Sequence, residues 1–504
     1  MTFTTALVSR AVRAAVAIVA VLIVAPATSR GQEPQRSVWL DVAVRQARPD
    51  DRLAVWVYFT DKGPQTSAVY SESPSLRTLA RRARRGTPTD MTAFEDRPLA
   101  TEYVQDVSRL VTRLRHESRW LNAVSVDASS AEIAAVSTLP YVSRLDVVRR
   151  YRQARDEAVE PLPASGRNDL GSRHATDEPL DYGTGIDQVR QLRVPELHAR
   201  GLHGEGVIIA VFDSGFPNLA HEAFRSMSIV AQRDFVNGRD SVRESIHSHG
   251  TNTLSTLGGF APGQLIGPAY AASFLLAVTE DVNSETPVEE DHWAAAAEWA
   301  ELLGADVISS SLGYLEFDRP FTSYTDRDMD GQIAVTTRAA ARAAERGMVV
   351  VNSAGNAGLD PGHNTLGAPA DGLQVVTVGA VTRTGARAAF SSVGPTADGR
   401  LKPDVVAMGV NVKVARDVGN GYGVASGTSF SCPLTAGVVA LVLQAHPDYT
   451  VDQVRSALRD TASQAGAPDN LLGWGVVDGV RAVEASVPTP VPAVRRVGGR
   501  RLPD

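Results

Sequence analysis

The stretch Val207-Ile208-Ile209-Ala210-Val211-Phe212-Asp213-Ser214-Gly215 decides the fold class. An unbroken apolar run with no polar alternation predicts a strand buried on both faces, as in a parallel sheet covered by helices. It ends abruptly on an acid, a hydroxyl and a glycine, and in open parallel sheets functional groups collect at the carboxyl ends of strands. Taken alone, an Asp in that position is most often a turn former or cap. Gly204 and Gly206 precede the strand, whereas a dinucleotide fingerprint needs its glycines after it.

Working outward, residues 182–485 alternate apolar strands with Ala-rich helices. Strands are expected at 271–278, 307–310, 348–352 and 375–378, and helices at 292–303, 334–346 and 434–444. That alternation predicts an α/β fold, a mostly parallel sheet with helices on both faces. Upstream, residues 28–150 read as a small α+β unit. Its strands are expected at 53–60, 118–126 and 142–148, and its helices at 99–116 and 130–139. The cluster Arg77, Arg81, Arg82, Arg84 and Arg85 is expected to be a solvated helix face or loop rather than a processing site. Residues 151–181 lack periodicity and read as an exposed linker, and residues 486–504, which carry Pro488, Pro490, Pro492 and four arginines, as a disordered tail.

At the amino terminus, Arg10 and Arg13 precede an apolar run at 14–25 and the small-residue site Ala25-Pro26-Ala27. This layout predicts a signal peptide over 1–27 and a secreted or periplasmic product. The run is short of the ~20 residues a membrane-spanning helix needs, so no stable membrane anchor is expected after cleavage. A length of 504 residues calls for two or three folding units, and 43% hydrophobic with 21% charged residues excludes wholesale disorder. A net charge of −7 gives no reason to expect a nucleic-acid partner. Cys432 is the single cysteine, which excludes an intrachain disulfide and multi-thiolate metal sites. Only three lysines occur, Lys62, Lys402 and Lys413, which reads as codon bias.

Two further segments carry chemistry. His247-Ser248-His249-Gly250-Thr251 opens an expected helix, and Ala425-Ser426-Gly427-Thr428-Ser429-Phe430-Ser431-Cys432-Pro433 puts Ser429 at another helix start. Each alone reads as a polar surface residue or cap. Together with Asp213 they supply a hydroxyl, an imidazole to take its proton and a carboxylate to hold the imidazole. The Gly-x-Ser-x-Gly elbow is absent around Ser429.

The order Asp…His…Ser and the motifs Asp213-Ser214-Gly215, His249-Gly250-Thr251, Ser353-Ala354-Gly355-Asn356 and Gly427-Thr428-Ser429-x-x-x-Pro433 resemble the subtilase family of serine endopeptidases. Ser391-Ser392-x-Gly394-Pro395 resembles a further family segment. The resemblance implies Ser429 as nucleophile, His249 as general base with His247 as its rival, Asp213 as the orienting acid and Asn356 as an oxyanion donor. It implies Ser311, Leu312 and Gly313 as a substrate-binding strand, with Ala354 and Gly355 across the specificity pocket. It further implies that residues 28–150 are a propeptide, chaperone and inhibitor of its own chain, cut within 151–181. Polypeptide substrates, a monomer and no cofactor for the chemistry follow from it.

Some residues depart from the family pattern. Phe430-Ser431-Cys432 replaces a segment that commonly begins Met-Ala, no histidine follows Pro433, and Ser214 stands where threonine is common. Cys432 is expected to be a small packed residue, not a nucleophile. Asp326, Asp328 and Asp330 alternate ahead of Gly331 as in calcium loops, although Thr337 breaks the EF-hand pattern; structural calcium and a solvated acidic loop both stand as readings. Two other functions stand beside the endopeptidase: an inactive subtilase-like binding or scaffold protein, and an esterase or peptide ligase using the same site.

Overall fold

The structure is a computed structural model describing residues 34–63, 74–87, 89, 93–148, 160–161, 180–244, 247–281, 288–315 and 323–488. The expected signal segment, most of the linker and residues 489–504 of the tail lie outside the described residues.

The amino-terminal unit runs α1 (Val38–Gln46), β1 (Leu53–Phe59), α2 (Leu76–Arg84), α3 (Thr101–Leu110), β2 (Arg113–Ser118), β3 (Ala123–Ala128), α4 (Ser130–Val136) and β4 (Val142–Val147). Its sheet places β1 centrally, antiparallel to both β4 and β3, with β2 outside β3. A capping box between Ser129 and Glu132 starts α4. The helix expected over 99–116 stops at Leu110, and 113–118 is strand β2 instead. The strand expected from 118 begins only at Ala123, because Arg119 to Asn122 form a turn with Asn122 in the left-handed region at φ 51°.

The second unit is built on β5 (Ile208–Asp213), β6 (Ser228–Asp234), α5 (His249–Gly258), β7 (Ser273–Val278), α6 (Val288–Leu303), β8 (Val307–Ser310), α7 (Val335–Glu345), β9 (Val349–Ser353), β10 (Val376–Val381), β11 (Val405–Met408), β12 (Val412–Ala415), β13 (Tyr422–Ala425) and α8 (Thr428–Ala445). Seven strands form one parallel sheet in the order β11-β10-β9-β8-β5-β7-β6. Along β5 the side chains alternate between two cores. Ile209 and Val211 pack with Leu254 and Leu441 of α5 and α8, while Ile208, Ala210 and Phe212 pack with Trp293 and Ala340 of α6 and α7. Trp56, Tyr58 and Trp120 of the amino-terminal unit join the second core. Helix α8 is long and apolar enough to cross a membrane, but it is buried from Thr428 to Leu443 and forms the centre of the first core.

One expectation fails outright. The arginine cluster is not a solvated face: Arg81, Arg82 and Arg85 are buried, with Arg81 and Arg82 on Glu301 and Arg85 on Asp306. Charges leave water only where partners of opposite sign meet them, and the end of α6 provides those partners. Within the linker, Glu160 is exposed, and Glu160 and Pro161 pair antiparallel with Val424 and Gly423 of β13.

The three lysines are all interior. Lys62 Nζ donates to Arg97 O (2.5 Å) and Arg119 O (2.9 Å), Lys402 Nζ to Asp404 Oδ2 and Val375 O (both 2.7 Å), and Lys413 Nζ to Thr184 Oγ1 (2.6 Å). Burial pushes Lys62 down to about 7 and Lys402 and Lys413 down to about 8.

Candidate active site

Because β5 lies inside a parallel sheet, its last residue, Asp213, emerges at the carboxyl edge yet remains fully buried. Its Oδ1 accepts from His249 Nδ1 at 2.7 Å and from the Ser214 amide at 2.8 Å, and its Oδ2 accepts from Thr253 Oγ1 at 2.8 Å. Burial would raise this carboxyl, but the His249 charge and these donors together hold it below its ordinary value. His249 is the first residue of α5, and Thr253 lies one turn on, so one helix face presents both to the same carboxylate. Gly250 makes this approach available: a Cβ there would lie 2.4 Å from Gly215 O and 3.0 Å from Asp213 Cβ. His247, the rival base, bonds Ser214 Oγ at 2.5 Å instead.

Ser429 is the second residue of α8, where helix amides lack intrahelical partners. The His249 ring lies beside that of the next residue, Phe430, at a centroid distance of 6.0 Å. Pro433 has no N–H, so it cannot bond the carbonyl four residues back, which is that of Ser429. Ser311 Oγ donates to this freed carbonyl at 2.8 Å, and Ser429 Oγ donates in turn to Ser311 O at 3.3 Å. The departure-rich segment after Ser429 is therefore tied to the strand preceding Leu312 and Gly313.

Asn356 Oδ1 accepts from both the amide and the hydroxyl of Thr428 at 2.9 Å, which fixes the amide plane and turns Nδ2 away from Thr428. Thr428 Oγ1 also accepts from the Gly355 amide at 3.3 Å. Ala354 is buried and held by its amide on Val378 O. Leu312 O accepts from Asn352 Nδ2 at 2.9 Å, and Tyr314 pairs with Ala368 in both directions, so the segment through Leu312 and Gly313 is held extended at both ends. Thr253, Thr428 and the Ser311–Pro433 relation escaped the sequence reading. The four-residue spacing from His249 to Thr253 was the one visible signal.

Cys432 is fully buried, with its thiol on Ser310 O (3.4 Å) and Val351 O (3.5 Å), and burial pushes it up to about 12. A thiol so far from ionising is a packing group. The three acidic residues expected as a calcium loop do not converge. Asp328 Oδ2 caps Thr325 through its amide and hydroxyl, Asp330 Oδ1 holds the Gln332 amide, and Asp326 offers its backbone carbonyl to Asn364. The Asp328 and Asp330 carboxylates serve separate local turns and do not fit a shared ion. Among the described residues, no three His, Cys, Asp or Glu side chains form a metal-holding group.

A carboxylate-held imidazole at the carboxyl edge of a parallel sheet, with a serine in the first turn of an adjoining helix, belongs to the serine hydrolases of Asp-His-Ser order. Residues 204–475 match the subtilase family and residues 54–161 the peptidase S8 propeptide domain, Bacteroidota; the chain belongs to the subtilase family and is a serine endopeptidase of subtilisin type. It is 32% identical over 295 residues to subtilisin NAT of Bacillus subtilis subsp. natto, covering 58% of this chain and 68% of that one. With serine protease AprX of Bacillus subtilis (strain 168) it shares 31% over 317 residues, covering 56% of this chain and 67% of that one. Fervidolysin from Fervidobacterium pennivorans, a keratinolytic enzyme related to subtilisin, superposes with a TM-score of 0.63 at 20% identity over 91% of this chain. The alignment spans 64% of fervidolysin, and at that identity the likeness is one of fold.

Proposed function

We propose that this serine endopeptidase cleaves peptide bonds through an acyl-enzyme on Ser429, with His249 as general base and then general acid. Asp213 holds the imidazole tautomer and stabilises its charged form. The observation that carries this reading is the 2.7 Å Asp213–His249 bond beside the start of the Ser429 helix. Asn356, oriented by Thr428, donates to the oxyanion together with the Ser429 amide. Ser311, Leu312 and Gly313 receive the substrate as an added strand, with Ala354 and Gly355 across the specificity pocket. A fluorophosphonate probe should label the protein, and Ser429→Ala should abolish the adduct. A processed wild-type chain that takes no label would leave the binding or scaffold reading standing. Parallel turnover of peptide and ester substrates separates proteolysis from esterase chemistry.

The domain plan that accompanies this reading is a signal peptide at 1–27, a propeptide at 28–150, a linker with the processing site at 151–181, the catalytic domain at 182–485 and a tail at 486–504. Export through the signal and self-processing of an inhibited precursor follow. The propeptide-domain match and the docked amino-terminal unit support the plan. Sequencing the mature amino terminus tests both boundary and processing. The chain requires no cofactor for this chemistry.

A further inference from the structure

The carboxylate that holds His249 also meets a second imidazole, one hydroxyl away. His247 Nδ1 lies 2.5 Å from Ser214 Oγ, and Ser214 Oγ lies 3.2 Å from Asp213 Oδ1, the same oxygen that accepts from His249 Nδ1 at 2.7 Å. The two ring centroids are 6.2 Å apart, and His247 is exposed whereas Ser214 and Asp213 are buried. A hydroxyl carries one proton, and a carboxylate can only accept. Beside a neutral imidazole the Ser214 proton can go to either neighbour. Beside an imidazolium, whose two nitrogens both donate, Ser214 Oγ accepts from His247 and turns its own proton onto Asp213. Charge on His247 thus gives the carboxylate one more donor and sets a like charge near His249, and both effects lower the proton affinity of His249. Two ionisable groups face His247 from neighbouring elements: Asp213 at the end of β5, through Ser214, and His249 at the start of α5. On its own loop Arg243 and Glu244 are exposed, and Glu244 pairs with Arg239 at 3.3 Å.

We propose that His247 is a positioning residue of the catalytic triad: it turns the Ser214 hydroxyl onto Asp213 and, when charged, keeps His249 neutral at lower pH. Imidazoles change charge close to neutrality, so the control operates where the base itself titrates. The enzyme thereby keeps its general base in working form under mildly acidic conditions, where an Asp-His pair without this neighbour would already be protonated. This role rests on the triad assigned above, with His249 as the base. His247 is not a second base, because it acts on Asp213 through Ser214.

Two titrations test it. In the full chain carrying Ser429→Ala, which cannot cut itself, the His249 imidazole is followed by NMR, its signal assigned by its loss in His249→Gln. Adding His247→Asn, which keeps a polar side chain that cannot charge, should raise the His249 midpoint by about half a pH unit, the scale of a like charge removed at that distance. Ser214→Ala, which breaks the bridge and leaves the charge, should raise it by less. In the processed enzyme, His247→Asn should move the acid limb of kcat/KM upward by the same interval. It should lower the alkaline plateau by less than about tenfold, the scale of one hydrogen bond. A His249 midpoint that stays or falls overturns the proposal. So does a plateau loss near the roughly millionfold seen in subtilisin without its base, which would make His247 the base. Failure of the triad itself would appear separately, as a processed wild-type chain that takes no fluorophosphonate label; the NMR midpoint does not depend on turnover.

Discussion

Helices α6 and α8 flank the same sheet, yet they bury opposite chemistries. Phe430, Leu434, Val438 and Leu441 of α8 vanish into an apolar core. Alongside its Trp and Ala residues, α6 buries Asp291, His292, Glu298 and Glu301, and the amino-terminal unit answers each of them. Asp291 bonds Ser125, His292 shares a 2.7 Å hydrogen bond with His116, Glu298 takes Ser118 Oγ at 2.5 Å, and Glu301 takes Arg81, Arg82 and Arg119. Uncovering apolar surface loses its full hydrophobic stabilisation, whereas water largely replaces the partners of an uncovered charge. The α8 face is closed by apolar packing; the outer face of α6 adds charged and hydrogen-bonded partners to the apolar core it shares with Trp56, Tyr58 and Trp120.

The sharpest break of this contrast lies in catalysis. His249→Ala, on the α8 side, should lower kcat by about a millionfold, the magnitude known for loss of the base in subtilisin itself. Glu298→Gln, on the α6 side, should leave kcat of the processed enzyme unchanged. Leu441→Ala should cost about 2–5 kcal/mol of unfolding free energy in denaturant titration, because it opens a cavity in the core that cannot relax. Asn356→Ala should cost about 3–4 kcal/mol in kcat with little change in KM, the range seen for an equivalent donor in subtilisin.

Acidification should act most directly on the outer face of α6. Burial, followed by the neighbouring charges, holds His116 down to about 3 and His292 well below its ordinary 6.5; Arg113 and Arg115 face both and Arg233 faces His116. Groups depressed in this way contribute fully above 6.5 and lose their contribution as pH falls toward those lower values. Asp291, raised by burial to about 7, and Glu298, which burial also raises, work the other way, favouring docking as pH falls, and offset part of the histidines' loss. In the Ser429→Ala chain, exchange in β2 should therefore quicken between pH 7 and 4.5 while exchange in α8 holds. Equal quickening in both would erase the distinction. The smallest effect should come from Thr253→Val, about 1 kcal/mol in kcat/KM, from one hydrogen bond lost at Asp213.

The strands of the catalytic unit and the groups at their carboxyl edge were legible in the sequence, and for a physical reason. A strand buried on both faces has no polar residues to interrupt it, and β5 and β9 read as they fold. The docked face was illegible for the complementary reason. Arg81, Arg82 and the Arg-Leu-Arg-His-Glu-Ser run of β2 carry the polarity of a surface, and no periodicity separates a charge facing water from one facing a carboxylate. The fine structure of the site was hidden differently. That Pro433 frees the Ser429 carbonyl for Ser311 depends on α8 running through Pro433 and on the fold bringing Ser311 to that carbonyl, a long-range contact no local pattern marks.

The interior placement of all three lysines leaves arginine as the main source of positive charge on the surface. Reagents that acylate primary amines should therefore find the lysine side chains of the folded protein shielded. Lysine acylation that appears only on denaturation would then report unfolding of the chain.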